Sequence, residues 1–126
     1  MNNQKLIQKL ESLPTEIKIQ TLNIMDRQAE VDILREKINS IKVSAMEKVL
    51  TDGGATNDKA RATAQAKILE NDSFYQDQSK TLRLNEMDVR IAQAQLELLH
   101  NQFRAYIAIA SIRAYIAIAG IAEVKS

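Results

Sequence analysis

Apolar residues return along this chain at intervals of seven. In the first half, Ile17, Ile24, Val31, Ile38 and Ala45 form one such series, with Leu34 and Ile41 three residues after two of its members. A seven-residue repeat with a companion three positions on is the seam of a coiled-coil-like helix. Nothing between Thr15 and Leu50 interrupts it, so a long helix is predicted over 15–50. Glu30, Asp32, Arg35, Glu36 and Lys37 stand among the apolar positions and read as its solvated face.

The last third carries two such patterns. Leu84, Ile91, Leu98, Ala105, Ile112 and Ala119 form one series, accompanied by Met87, Ala94, Asn101, Ala108 and Tyr115. A second series, Leu82, Val89, Leu96, Phe103, Ala110 and Ala117, runs two residues earlier in the heptad. One partner cannot cover both stripes. The alanines allow close helix approach, and Asn101 is the kind of polar seam residue that fixes register at a cost in stability.

Punctuation sets the boundaries. Residues 3–12, with Leu6, Ile7 and Leu10 on one side, predict a short N-terminal helix or tail within 1–13, interrupted by Pro14. Asp52-Gly53-Gly54 is the strongest break, since glycine readily takes the left-handed geometry that ends a helix. Asn57 or Thr56 can then cap a short helix over 57–71. Ser73 followed by Gln76 has capping-box spacing and predicts the N-cap of a last helix over 74–119. The expected fold is all-α, a single domain with more than roughly three quarters of its residues helical. In it, the two long helices form an antiparallel hairpin or coiled coil, and the hairpin assembles into a homo-oligomeric bundle.

Composition agrees. Aromatic residues make up 4%, with three glycines and one proline, too few turn formers for a sandwich or barrel. Seventeen basic residues against sixteen acidic ones leave +1, so no field of one sign covers the molecule. The chain has no cysteine, which excludes disulfides and fits a reducing cytoplasm. The polar start MNNQKLIQKLESLP lacks the apolar run of a signal peptide.

The segment RAYIAIASIRAYIAIAG, beginning at Arg104, repeats RAYIAIA after nine residues. As a membrane span it is poor, because Arg104 and Arg113 each cost about 3 kcal/mol near a bilayer centre and each isoleucine returns about half a kcal/mol. As a strand it is inconsistent, since Ile107 and Ile109 are odd-numbered but Ile116 and Ile118 even-numbered, so the pairs would point to opposite faces. On a helix, nine residues turn the copy by about half a turn. Ile107, Ile118 and Ile121 then share one face, and Ile109, Ile112 and Ile116 the other. Tyr106, Tyr115, Arg104 and Arg113 flank them. A helix apolar on opposed faces has neighbours on both sides, the second of them most economically another copy of the chain. These ten residues are the expected oligomer or partner interface.

No reactive constellation stands out. His100, the lone histidine, has only Glu97 near it on a helix, and no cysteine exists to complete a zinc site. Ser73, Ser79 and Ser111 lack an adjacent base, and Glu86 and Asp88 do not share a helix face. Gly53-Gly54 is not followed by Lys and Ser/Thr, so it is no phosphate loop. The chain is therefore expected not to be an enzyme and to need no metal or cofactor. Lys59, Arg61, Lys67, Lys80, Arg83 and Arg90 form the candidate nucleic-acid contacts, although Asp77, Glu86 and Asp88 are interleaved with some of them.

From Asn57 onward the chain resembles a family of small, largely uncharacterised phage and prophage helical proteins encoded among recombination and replication genes. The resembling residues are Asn57, Arg61 and Ala62, the pair Phe74-Tyr75, and LELLHNQFRAYIAIA from Leu96 to Ala110. The resemblance implies a phage or prophage origin and a place in the host cytoplasm, and it supplies no catalytic residue. Taken together, the expectation is a non-enzymatic helical oligomer that binds itself and a host or phage protein, with no membrane. Such a module would be a phage accessory or inhibitor acting on host defence or DNA-processing enzymes. The alternative is a nucleic-acid-binding accessory of phage recombination or replication.

Overall fold

A computed structural model describes the backbone of residues 1–125 and the side-chain surroundings of residues 1–121. It is all-helical. Helix accounts for 93% of the described residues, in the order α1 (Asn3–Asp52), α2 (Asp58–Glu70) and α3 (Ser73–Lys125), with no strand among them.

The first helix differs from the expected break at residue 14. α1 is continuous over 50 residues with Pro14 inside it. The proline costs the helix one backbone hydrogen bond and crowds the carbonyl of Leu10, about 3 kcal/mol in a helix interior. The seven-residue pattern explains why the helix persists. It extends back through the proline as Leu6, Leu10 and Leu13, of which Leu6 is 4% and Leu13 1% exposed. Ile7, expected beside Leu6, lies instead in solvent at 53% exposure. Asn2 caps the start, its Oδ1 accepting the Lys5 N–H at 2.8 Å.

The other ends follow their sequence signals with one correction. Gly53 ends α1 with φ +67° and donates its N–H to the Val49 carbonyl at 3.4 Å, the bond of a left-handed helix cap. Asn57 caps α2, accepting the Ala60 N–H at 2.8 Å. The cap of α3 is Asp72 rather than Ser73, because the Asp72 carboxylate accepts the Tyr75 N–H at 3.0 Å. Gln76 does not close a capping box; its amide donates to the Leu69 carbonyl at 3.1 Å. α3 then continues past Ala119 to Lys125.

The helices build two compact units. One comprises Met1–Ile24 with Ile91–Ser126, the other Met25–Arg90. In the first, Leu6, Leu13 and Ala92 are buried, with Leu10, Ile17, Leu96, Leu99, Phe103 and Tyr106 half-buried. There Gln20 donates to the Ala92 carbonyl at 3.3 Å and to Gln95 Oε1 at 3.4 Å, while Arg113 reaches Asn3, so pairing runs in opposite chain directions. In the second, Val31, Ile38, Ala45, Val49, Leu69 and Val89 are buried. Arg35 pairs with Glu86 at 3.4 Å, Arg27 with Asp88 at 3.8 Å, and Gln65 donates to the Lys42 carbonyl at 2.8 Å.

Candidate interaction surface

α3 has an apolar face on each side, and its own chain covers only one. The covered face is the second heptad series. Val89 is buried, and Leu82, Leu96, Phe103 and Ala110 are half-buried, joined by buried Ala92 and half-buried Leu99, Tyr106 and Arg113. About half a turn away, the first series lies open. Leu84 is 54% exposed, Ile91 50%, Leu98 58% and Ile112 60%, with Met87 and Tyr115 exposed in the companion row. Ala94, Asn101 and Ala108 complete that row and Ala105 stands in the first series, all exposed. In the first unit the stripe is uncharged from Ile91 to Tyr115, and in the second Leu84 and Met87 stand in the same seven-residue register.

The doubled segment divides between these environments differently from the expected two faces. A seven-residue period, rather than a free helix, decides which side chains meet α1. Tyr106, Ile109 and Arg113 turn toward covered surface and are half-buried. Arg104, Ile107, Ile112, Ile116, Ile118, Ile121 and Tyr115 are exposed. Ile109 is thus separated from Ile112 and Ile116, with which it was expected to share a buried face. The reason is the start of α1: Arg113 donates to Asn3 Oδ1 at 2.6 Å and to the Met1 carbonyl at 2.5 Å, where α1 begins. The second copy of the repeat continues beyond that contact. Tyr115 is 74% and Ile118 68% exposed there.

α3 also contains an 18-residue window of mean hydropathy 1.4, none of it buried, and by length and composition the helix could cross a membrane.

No protein-family model, curated protein or solved structure matches this chain.

The basic candidates fall into two environments within the second unit. On α2, Arg61 is half-buried and pairs with Asp58 at 3.7 Å. Lys59 and Lys67 border an open groove of about 860 Å³, shared with Val49, Asp52, Asn57, Thr63 and Ile68. On α3, Lys80, Arg83 and Arg90 are exposed. Arg83 and Arg90 sit one position before Leu84 and Ile91, along one border of the open stripe. His100 is exposed, and no group of three His, Cys, Asp or Glu residues is arranged to hold a metal among the described residues.

Sequence reasoning missed Arg113 as a tether and Glu97 as a border residue, both of which depend on which of the two stripes turns inward, and it placed the α3 cap one residue late, at Ser73 instead of Asp72. The earlier phase of the Leu82 series was visible, but not its priority. Side-chain size offers no such signal: Phe103 is bulkier than Ala105 at the matching level, but Leu96 matches Leu98 and Ala110 is smaller than Ile112.

Proposed function

We propose that this chain is a non-enzymatic, helical protein-interaction module. In this reading α1 and α3 form an antiparallel coiled-coil-like hairpin whose open α3 stripe joins it to other copies in a homo-oligomer. The observation that carries it is the exposure of Leu84, Met87, Ile91, Leu98, Ile112 and Tyr115 in one heptad register. An apolar stripe of this kind marks an interaction site rather than ordinary surface, where apolar residues scatter singly. In this reading the module belongs to a phage or prophage and acts in the cytoplasm of a host cell, as an accessory or inhibitor of host defence or DNA-processing enzymes.

Light scattering in detergent-free buffer tests the oligomer: a mass at least twice 14.2 kDa at micromolar concentration is expected. A monomeric mass would end the oligomer reading. Capture from host lysate, with identification of a stoichiometric protein, tests the adaptor role.

A second reading is a nucleic-acid-binding accessory. Among the described residues Lys80, Arg83 and Arg90 are exposed and join no ion pair, and an oligomer would repeat them. Retention on heparin or DNA that falls steeply with salt, and is lost in Arg83→Ala/Arg90→Ala, is its signature. Against it stand the near-neutral charge and the acidic side chains interleaved on α3.

A further inference from the structure

We propose that the open stripe of α3 is covered by α3 of a second copy, running antiparallel, in the register that sets Glu97 against Arg104 of the partner subunit. This deepens the oligomer proposed above and rests on it.

The argument begins with the border of the stripe. Arg83, Arg90, Glu97, Arg104, Ser111 and Ile118 each stand one position before a member of the Leu84 series. Glu97 and Arg104 are exposed, and neither joins an ion pair within the chain among the described residues. In an antiparallel pair of helices, members of one core row face members of the other row. The border residues then meet border residues of the same kind across the interface. The allowed registers differ by whole heptads.

Charge separates them. With Leu98 facing Asn101 of the partner subunit, Glu97 meets the partner's Arg104, and two-fold symmetry makes the same pair twice. Arg90 then meets the partner's Ser111. One heptad to one side, Arg104 would meet itself. One heptad to the other, Glu97 would meet itself and Arg90 would meet the partner's Arg104. Like charges in such positions oppose association, and unlike charges select partner and orientation. Only the first of these registers pairs opposite signs.

Packing points the same way. In that register Ile91 faces the partner's Ala108, a large residue against a small one, and only the layer of Ala94 with the partner's Ala105 is small on both sides. The two Asn101 amides occupy adjacent layers about the two-fold axis, near enough to hydrogen-bond one another, so the stripe's lone polar side chain gains a partner. A parallel pair would instead stack Ala105 on itself and Ala108 on itself in consecutive layers. Its one attractive border pair, Arg83 with the partner's Asp88, would draw on a carboxylate already paired with Arg27 at 3.8 Å.

Reversal of the two charges tests the register. Glu97→Arg alone and Arg104→Glu alone should each raise the dimer dissociation constant by about tenfold, because each creates two like-charge contacts. The double variant Glu97→Arg/Arg104→Glu should return within about twofold of wild type. Circular dichroism checks that all three variants keep their helix, as exposed positions allow. Single variants that weaken a wild-type dimer without rescue in the double, or that leave it unchanged, overturn the register. Because the chain lacks cysteine, a second readout is clean. Leu98→Cys, close to the axis, should form a disulfide-linked dimer on oxidation and Ile91→Cys should not. Equal cross-linking of both means a parallel pair and refutes the proposal. A wild type that is monomeric in buffer and floats with phosphatidylcholine vesicles gives the stripe to a bilayer instead. That result removes the oligomer as well, so the two failures are distinguishable.

Discussion

Arg113 reaches Asn3 across 110 residues of sequence, its guanidinium donating to the asparagine Oδ1 at 2.6 Å. Its other terminal nitrogen donates to the Met1 carbonyl at 2.5 Å. Arg104 holds the equivalent place in the first copy of the repeat yet lies exposed with no such contact. Identical local sequence thus meets two environments. Nine residues carry the chain about half a turn past its seven-residue seam, so one arginine faces α1 and the other borders the open stripe.

Arg113→Ala should therefore loosen the start of α1. Two charge-assisted hydrogen bonds are lost, but at an exposed site, so the cost should be about 1 kcal/mol rather than the 1.5–3 of a sheltered one. Hydrogen exchange should rise selectively over the first two turns of α1. Arg104→Ala should leave exchange there unchanged, and equal effects of the two variants would refute the tether.

Pro14 offers a cleaner stability test. It is exposed, sits inside α1 and contributes no burial of its own. Pro14→Ala should restore one backbone hydrogen bond and stabilise the protein by up to about 3 kcal/mol. The melting temperature should rise by several degrees. A fall would mean that the proline shapes the helix in a way its neighbours need.

These cases show what the sequence carried. The helical class, the glycine break and the cap at Asn57 are local properties, written in residue type and spacing. The seam through Ile17, Ile24, Val31, Ile38 and Ala45 was legible for the same reason, and those residues are buried or half-buried. Pro14 does not break the helix because its local penalty is outweighed by the burial of Leu6 and Leu13 before it and the seam that continues after it. Which stripe of α3 turns inward was not legible from period alone. Both stripes have the same period, and the choice rests on summed packing against a helix far away in sequence.

The contrast between Leu13 and Ile7 measures that packing. Leu13 is 1% exposed and Ile7 53% exposed, on the same two turns of α1. Leu13→Ala should cost 2–5 kcal/mol through lost burial and the cavity left behind. Ile7→Ala should stay within about half a kcal/mol. Denaturant midpoints compare them directly, and similar losses would move the seam.

The glycine pair should behave unequally as well. Gly53 has φ +67°, while a Cβ at either Gly53 or Gly54 meets nothing within 4 Å. Strain alone therefore separates them. Gly53→Ala should cost about 1 kcal/mol for the left-handed backbone, and Gly54→Ala should be near neutral or slightly stabilising. Thermal melts of the two variants decide it. Equal effects would mean that the α1 end does not depend on the left-handed cap.

The two faces of α3 make the strongest contrast. Val89 is 5% exposed, packed inward in its unit, and Leu98 is 58% exposed on the open stripe. Val89→Asp buries a carboxylate with no partner, which costs several kcal/mol and should unfold much of the protein or cut its melting temperature sharply. Leu98→Asp places its charge in water while the chain is alone, so the monomer's helix content should survive. In an oligomer built on the stripe, however, that carboxylate would be desolvated, and association should weaken by orders of magnitude. The expected pair of results is loss of fold for Val89→Asp and loss of mass without loss of fold for Leu98→Asp. Circular dichroism and light scattering on the same samples read both. If Leu98→Asp changes neither mass nor melting temperature, the open stripe does not join subunits.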